Sequence, residues 1–500
     1  MQGTVCSETT GDKNDTNQNN DSKNNDSKHA GPWLGQASLF ALAAGLAGLM
    51  FGLDTGVIAG ALHFIGLEFK TSTVMDEWIV STLMLGAAGG ALLASFLARE
   101  WGRRVTLFCA AVLFLVGTAA CCLAHSVPML MAGRVVLGLG VGLAAFAAPL
   151  YISEITAQKD RGRMISLYQM AITIGMLMAY FSDSLLAGGG HWRWMLGIPA
   201  IPAILFLLST LMVPYSPRWL VTQGRHKEAS RVLHMLRDSS DKAKRELKRI
   251  REQVNKDNVS GFALFKTSAP FRRSFFLGLS LQALQQLTGI NVLLYYAPKV
   301  LERAHFGSSA AIWATTLLGV ANLVATVAAL FLIDRWGRRP LLVTSCIIAS
   351  LSLVLFGFVL KLQVEGPLGA VLIIGTLVAF ILGYALGEGP LPWTLCSEIQ
   401  PLKGRSLAIG CSTFVNWMTN WLISSVFLSC MTVLGDSNTF WMLAGFNVVF
   451  LVVALIFVPE TKGTSLEDIE DNLMQGKRLR DIGDSASSPT AQTVGTQVVA

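Results

Sequence analysis

Long apolar stretches separated by short polar segments run through the chain from about residue 38 to residue 458. Each stretch holds roughly 20 residues, the length at which an α-helix with a rise of about 1.5 Å per residue crosses about 30 Å of hydrocarbon. The pattern predicts an all-α membrane protein with twelve transmembrane helices in two six-helix bundles. The predicted helices begin near Ser38, Ile79, Val105, Pro128, Ile165, Met195, Ser274, Ala311, Pro340, Gly369, Ser406 and Thr439.

A long polar segment divides these stretches into two equal sets. We predict an N-terminal bundle over residues 36–213, a cytoplasmic helical linker over 214–273 and a C-terminal bundle over 274–458. The linker carries charges on several helical faces, which is typical of short surface helices. Residues 1–35 are rich in Asn, Asp, Lys and Ser without an apolar core, so they predict a disordered cytoplasmic tail and not a signal peptide. Residues 459–500 predict a second cytoplasmic tail.

Composition agrees with a membrane protein and argues against other classes. The 500 residues are 52% hydrophobic and 14% charged, whereas soluble domains carry about a quarter charged residues. The net charge is +7, because Lys and Arg outnumber Asp and Glu. The Lys and Arg residues are concentrated in alternate loops and the C-terminal tail. By the positive-inside rule those loops and both termini are cytoplasmic, so the charge orients the chain in the lipid bilayer and requires no nucleic-acid partner.

Several chemistries have no sequence signature here. The eight cysteines lack metal-ligand spacing, and we find neither a phosphate-binding loop nor a nucleophile–base constellation. We therefore expect no metal, no cofactor and no enzyme activity.

Two motifs occur once in each half of the chain. Residues 99–104 read REWGRR and residues 334–339 read DRWGRR, and Ser-Glu-Ile precedes a basic segment at both 153–155 and 397–399. Such repeats are typical of transporters that bind their substrate between two halves. We expect the charged residues at these predicted cytoplasmic helix ends to form an ion network between the bundles that closes the cytoplasmic side. The predicted gate consists of Glu154, Arg163, Arg335, Arg338, Glu398 and Arg405.

Two charged residues lie within predicted transmembrane helices. Asp54 is in the middle of the first helix and Arg134 is early in the fourth. A charge in the bilayer costs roughly 2.5–3.5 kcal/mol on insertion scales, so both are functional candidates. Pairing would offset part of this cost, and a conformational change that moves the arginine would change the protonation of the aspartate. We favour proton coupling by this pair; a static structural ion pair is the alternative.

Amide and aromatic side chains are concentrated in the seventh, tenth and eleventh predicted helices. Amides donate and accept hydrogen bonds, which suits a polyhydroxylated ligand, although polar residues also hold membrane helices together, the role we favour for Gln282. The sequence GEGPLP at 387–392 predicts a break in the tenth helix, and broken helices often line a site. The amides predicted to contact a sugar are Gln285, Gln286 and Asn291, and the predicted apolar platforms for the ring are Tyr296, Trp393 and Trp417. Asn416 and Asn420 share one face of the eleventh helix.

These motifs resemble those of the sugar porter family of the major facilitator superfamily, from Leu42 to Gly483. The combination is specific: the two basic loops, PYSPR at 214–218, QQLTGIN at 285–291, YYAP at 295–298 and PETKG at 459–463. Within the family the chain is similar to the bacterial galactose–proton and arabinose–proton symporters, and CSEIQPLKGR at 396–405 is most like the galactose members. The resemblance implies a multi-pass protein of the bacterial inner membrane.

The resemblance also implies roles for individual residues. It adds Gln169 and Asn416 to the predicted sugar contacts. It also makes Asp54 the proton-coupling carboxylate and Arg134 its partner. Two features depart from the family pattern. The first basic loop has Arg99–Glu100 where the second has Asp334–Arg335, which displaces its acidic member. Glu388 adds a carboxylate where relatives carry a small neutral residue; we expect it to face the extracellular side, and a second titrating group is the alternative.

We therefore expect an importer that moves a monosaccharide, a hexose such as galactose or glucose, together with one proton by alternating access. The proton is the coupling ion. The alternatives are a facilitative uniporter in which Asp54 is structural, a proton symporter of a pentose such as arabinose or xylose, and a transporter-like sugar sensor.

Overall fold

The computed structural model describes residues 36–157, 160–237, 239–256, 261–364, 366–401 and 404–484. Within these ranges every regular element is helical, with twenty-one α-helices and two single-turn 3₁₀ segments. The predicted tail over residues 1–35 and residues 485–500 of the second predicted tail lie outside the described residues.

The helices follow the two-bundle order that the sequence predicts. The N-terminal half forms α1 (Gln36–Phe69), α2 (Thr73–Glu100), α3 (Arg103–Cys122), α4 (Val127–Ile155), α5 (Arg161–Leu186), α6 (Trp192–Gly197) and α7 (Ala200–Met212). The linker forms α8 (Pro217–Thr222), α9 (His226–Leu236), α10 (Ser240–Lys256) and α11 (Gly261–Thr267). The C-terminal half forms α12 (Ala269–Leu287), α13 (Ile290–Arg303), α14 (Ser308–Trp336), α15 (Arg338–Leu362), α16 (Gly366–Leu386), α17 (Leu391–Glu398), α18 (Arg405–Ser424), α19 (Phe427–Val433), α20 (Asp436–Ile456) and α21 (Leu466–Met474).

Ten segments of the described chain are long and apolar enough to cross a membrane. The seventh and eleventh predicted spans are also helical, but each is divided in two, as α12 with α13 and α18 with α19. Together they give the predicted fold of twelve spans, which is confirmed. Both of these spans carry amide side chains, which lower their mean hydropathy. Large apolar side chains such as Leu92, Phe96 and Leu205 are more than half exposed, as expected for a surface that faces lipid.

The spanning helices alternate in direction, so their ends collect on two sides of the molecule. We call one side the basic end; it carries residues 101–102 and 337, the linker helices α8–α11 and α21. The other side, which carries residues 70–72, 304–307 and 434–435, is called the opposite end.

Helices α2 and α4 pack with their backbones in direct contact. A Cβ added to Gly138 would lie 2.0 Å from the carbonyl oxygen of Leu83, and one added to Gly142 would lie 2.2 Å from that of Ala87. Small residues permit such close approach, which is a main source of helix association in membranes. This contact holds α4, and with it Arg134, against α2.

Substitution of Gly138 tests this packing. We expect Gly138→Ala to destabilise the protein by about 1–3 kcal/mol, because the added methyl group overpacks a contact between two backbones. Thermal unfolding in detergent, followed by size-exclusion chromatography, measures the change. Gly375→Ala on α16 is the matched control, since a Cβ there meets nothing within 4 Å. Equal unfolding temperatures for the two variants would contradict the packing argument.

Candidate functional site

A connected group of amide side chains, which we call the amide cluster, lies between α12, α13 and α18. Asn416 is at its centre: its Nδ2 donates to Gln282 Oε1 at 2.7 Å and to Gln285 Oε1 at 2.9 Å. Its Oδ1 accepts from Gln286 Nε2 at 3.1 Å, and Asn291 Nδ2 donates to Gln286 Oε1 at 2.6 Å. The structure thus brings together four of the predicted sugar contacts. It also places Gln282, which is fully buried, among them.

The break between α12 and α13 fixes where these amides lie. Gly289 has a φ of +91°, and a Cβ there would lie 2.5 Å from a Leu443 methyl group. Backbone conformation and space therefore both call for glycine. Asn447 on α20 donates through Nδ2 to the carbonyl oxygens of Thr288 and Leu443, at 3.2 and 2.8 Å. A carbonyl released by the break thus has a partner, as backbone inside a bilayer requires.

The predicted break in the tenth span is confirmed, because α16 ends at Leu386 and α17 begins at Leu391. Its turn contacts the amide cluster directly. Gln285 Nε2 donates to the backbone carbonyl oxygens of Glu388 and Gly389, at 3.0 and 2.7 Å. The carbonyls that the break exposes therefore position one of the predicted sugar-binding amides.

The remaining predicted sugar contacts have different environments. Trp393 on α17 is 41% exposed. Gln169 is partly exposed on the face of α5 that also carries Tyr180, whose hydroxyl donates to the Leu294 carbonyl of the C-terminal bundle at 3.1 Å. Tyr296 is fully buried, and its hydroxyl donates to the Ser424 carbonyl at 2.9 Å. The structure therefore gives Tyr296 a partner apart from the amide cluster.

Asp54 and Arg134 meet inside the N-terminal bundle, where they are 3% and 1% exposed. Asp54 Oδ1 lies 3.8 Å from Arg134 Nη1, which is close enough for an ion pair but too far for a hydrogen bond. The guanidinium is held instead by α2, since its Nε donates to the Ile79 carbonyl at 3.0 Å and Nη2 to the Val80 carbonyl at 3.4 Å. Among the described residues Asp54 Oδ2 has no hydrogen-bond partner. The arginine is thus anchored without the aspartate.

Two further carboxyl groups are buried. Asp183 on α5, which the sequence analysis missed, is 1% exposed and accepts from the Gly60 backbone N–H at 3.2 Å. Its position within an apolar stretch was the available signal. The expectation that Glu388 faces the extracellular side is wrong: its side chain is 0% exposed. The Glu388 side chain lies inside the C-terminal bundle beside Cys346 on α15, and its backbone N–H donates to Ser345 Oγ on the same helix at 2.9 Å.

The charged motifs at the basic end form two equivalent triads, one in each bundle. In the N-terminal bundle Arg103 Nη2 lies 2.8 Å from Glu154 Oε1, and Ser216 Oγ donates to Glu154 Oε2 at 2.5 Å. In the C-terminal half Arg338 Nη2 lies 3.2 Å from Glu398 Oε1, and the Thr461 hydroxyl donates to Glu398 Oε2. The sequence analysis missed Arg103, Ser216 and Thr461. The triads pair each repeated arginine with the glutamate of its own bundle.

The other predicted gate residues lie nearby at the basic end. Arg163 and Arg335 are exposed, and Arg405 donates to the Gln400 carbonyl at 3.2 and 3.0 Å. An ion network that joins the two bundles at this end stays a prediction for a conformation in which the basic end is closed.

Contacts between the bundles close the opposite end. Lys299 on α13 pairs with the buried carboxylate of Asp76 on α2. Glu77 accepts from the backbone N–H and hydroxyl of Ser429 on α19, at 2.6 and 2.7 Å. His63 Nδ1 on α1 lies 2.9 Å from Glu302 Oε1 on α13. We call these residues the opposite-end latch; the sequence analysis missed all of them, although an acidic pair at the start of α2 and a lysine within an apolar run were visible signals.

A helical membrane protein with two six-helix bundles, an internal repeat, and buried charged and amide groups inside those bundles has the architecture of a transporter of the major facilitator type. The solved structures agree. The xylose transporter XylE from E. coli, in a partially occluded inward-open conformation, matches with a TM-score of 0.74 and 26% identity over 84% of this chain and 99% of that one. The proton:xylose symporter XylE bound to 6-bromo-6-deoxy-D-glucose matches with a TM-score of 0.75 and 28% identity over 87% and 98%.

The chain belongs to the "Sugar (and other) transporter" family, whose family model matches residues 40–473. It is 48% identical over 441 residues to the galactose-proton symporter of Escherichia coli strain K12, across 88% of this chain and 95% of that protein. It is 44% identical over 446 residues to the arabinose-proton symporter of the same strain, across 88% and 94%. The predictions of a sugar porter and of a transporter that is not an enzyme are confirmed by this family.

The opposite-end latch makes a testable prediction. We expect Asp76→Asn to raise the labelling rate of Asn420→Cys, by a membrane-impermeant thiol reagent applied at the opposite end, by about tenfold or more. Asn420 is 1% exposed. Breaking a buried ion pair costs several kcal/mol, and about 1.4 kcal/mol changes a population tenfold. Cys122 and Cys430 are replaced by serine to remove background labelling.

Asp436→Asn is the matched control for this measurement. Asp436 Oδ1 pairs with Arg303 at 2.9 Å at the same end, but both residues belong to the C-terminal bundle. Labelling should therefore stay near the unsubstituted rate. An equal effect of the two substitutions would show that the Asp76 pair does not hold the bundles together.

Proposed function

We propose that this chain is a proton-coupled importer of a monosaccharide, a hexose with galactose as the first candidate, in a bacterial inner membrane. The observation that carries the proposal is the division of chemistry between the bundles. The N-terminal bundle holds the carboxylate of Asp54 3.8 Å from an independently anchored guanidinium, and the C-terminal bundle holds a cluster of amides. The names of the similar proteins, galactose-proton and arabinose-proton symporters, support the same assignment.

The amide cluster suits a sugar because, in this conformation, its members form hydrogen bonds with one another. Each amide has a donor and an acceptor, so it can exchange a neighbouring amide for a sugar hydroxyl without leaving a polar group unpaired. Gln286 and Asn291, joined by a 2.6 Å hydrogen bond, can open toward a ring placed between the bundles. Partly exposed Gln169 and Trp393 would contact the same ring from α5 and α17.

Asp54 suits a proton carrier because, among the described residues, its Oδ2 has no hydrogen-bond partner and its Oδ1 has only the ion pair with Arg134. Arg134 remains held by the α2 carbonyls whether Asp54 is charged or neutral. Protonation therefore removes only the ion pair at 3.8 Å, and a small movement of α1 relative to α4 alters its strength. Proton uptake and helix movement become coupled in this way.

The conformation described here is closed at the opposite end. With the basic end and both termini in the cytoplasm, as the positive-inside rule indicates, this is an inward-facing state. Sugar and proton would leave toward the cytoplasm, and the bundles would then rock to open the latch. An entering proton that crosses about 100 mV releases roughly 2.3 kcal/mol, which supports about a fifty-fold sugar gradient.

Coupling is tested by recording external pH in lightly buffered, de-energised cells that express the chain. We expect a galactose pulse to make the medium more alkaline, and Asp54→Asn to abolish this signal while counterflow of radiolabelled galactose persists. Asp183→Asn is the matched control, since it removes a buried carboxylate of the same bundle that accepts from a backbone N–H and should retain the pH signal.

Each other outcome of this experiment has a defined meaning. Counterflow without a pH change in the unsubstituted protein would indicate a uniporter. A rise in external pH after a pulse of arabinose or xylose, and not after galactose or glucose, would identify the protein as a pentose symporter.

Sugar recognition is tested at the centre of the amide cluster. We expect Asn416→Ala to weaken galactose binding by about tenfold or more, because it leaves buried amides unpaired at about 1–3 kcal/mol each. Isothermal titration calorimetry on purified protein gives the dissociation constant. Asn438→Ala, the same change at an exposed site whose Nδ2 donates to the Leu434 carbonyl, should leave binding unchanged. Unaltered binding in Asn416→Ala would remove the cluster from the sugar site.

A further inference from the structure

Glu388 combines complete burial with an unpartnered carboxyl group. Its side chain is 0% exposed, and among the described residues neither Oε1 nor Oε2 has a hydrogen-bond partner. An isolated carboxylate charge in such a place costs far more than the neutral acid, because the Cys346 thiol, a weak donor, is the group beside it and no cation among the described residues replaces the lost water. In this conformation Glu388 is therefore the protonated acid.

The surroundings of Glu388 offer no compensating charge. The titratable groups that face it are the thiol of Cys346 on α15 and the phenol of Tyr384 on α16. Both are neutral acids when protonated. On the side of α12 the neutral amide of Gln285 contacts the backbone carbonyl of Glu388. Only a movement of the turn that lets water reach the carboxyl group would allow it to ionise.

That turn also holds part of the amide cluster. The backbone carbonyls of Glu388 and Gly389 accept both hydrogen bonds from Gln285 Nε2. The Glu388 backbone N–H is bound to Ser345 Oγ, which in turn donates to the Gly383 carbonyl at 2.7 Å. A movement that hydrates the Glu388 side chain must therefore disturb the backbone that positions Gln285. Ionisation of Glu388 and orientation of this amide are mechanically linked.

We infer that Glu388 is a second proton-binding site, located in the C-terminal bundle, whose protonated form holds the sugar-binding amides in place. When the turn opens, the carboxyl O–H bond breaks, the proton passes to water and Glu388 becomes a carboxylate. Gln285 then loses its two carbonyl acceptors, and sugar affinity falls. By linkage, sugar binding favours the protonated acid, so affinity is high at low pH and is lost as pH rises.

This inference rests on the proposed sugar transport and is tested in an Asp54→Asn background, where the carboxylate of the N-terminal bundle no longer titrates. We measure the dissociation constant of D-galactose by titration calorimetry between about pH 5 and pH 10. In Asp54→Asn the constant should rise with pH, with a slope approaching about tenfold per unit for one coupled proton. In Asp54→Asn with Glu388→Gln, which keeps a neutral side chain of the same shape, the constant should be independent of pH.

The outcomes separate the two proposals. If galactose, glucose, arabinose and xylose all fail to bind the unsubstituted protein, the proposed function is wrong. If galactose binds but the pH dependence is already absent in Asp54→Asn, or is unchanged by Glu388→Gln, the second proton site is wrong.

A measurement without any Glu388 substitution covers the case in which Glu388→Gln does not fold. Sugar is added to Asp54→Asn protein in two buffers of different ionisation enthalpy at the upper end of the pH range. A difference in the heat of binding reports proton uptake and supports the site. Equal heats overturn it.

Discussion

Hydrocarbon contains no water, so each polar group that this chain places within the membrane must find its partner in the protein. The amide cluster meets this constraint by mutual hydrogen bonding, and the helix break beside it meets it through Asn447. In the part of the chain that the structure describes, the buried carboxyl groups of Asp54, Asp183 and Glu388 each retain an oxygen atom without a hydrogen-bond partner. A carboxyl group can respond to that situation by holding a proton, which an amide cannot do. The same constraint thus divides the buried polar groups into amides that pair with one another and carboxyl groups that keep an unpaired oxygen.

The internal repeat is symmetric at the basic end and asymmetric in the middle of the membrane. At the basic end each half forms a triad of arginine, glutamate and hydroxyl group, with Glu154 and Glu398 in equivalent positions. Deeper in the molecule the N-terminal half holds the Asp54–Arg134 pair and the C-terminal half holds amides on divided helices. Duplicated ends can hold two rigid bodies, while the divergent middle sections carry different chemical groups.

The contacts within each bundle differ from the contacts that join the two bundles at the opposite end, so the bundles can move relative to each other while each keeps its internal structure. The triads lie within single bundles and can persist through a rocking motion. The opposite-end latch joins the bundles through Lys299, Asp76, Glu77 and Ser429, so it must open when the site is exposed on that side. Ion pairs and hydrogen bonds that form in only one conformation set the balance between conformations.

Hydropathy, charge placement and repeated motifs in the sequence determined the twelve helices, the division into two bundles, the break near Gly387 and the amides of α12 and α18. These follow from local composition, because a helix in lipid needs only its own length and apolar surface to form. Tertiary structure alone decided that Tyr296 bonds to Ser424, that Glu388 points into the bundle, that Arg134 is held by α2 carbonyls and which charges join the two bundles. Those features depend on the rotation and approach of helices distant in sequence, and no local pattern encodes which way one helix face turns toward another.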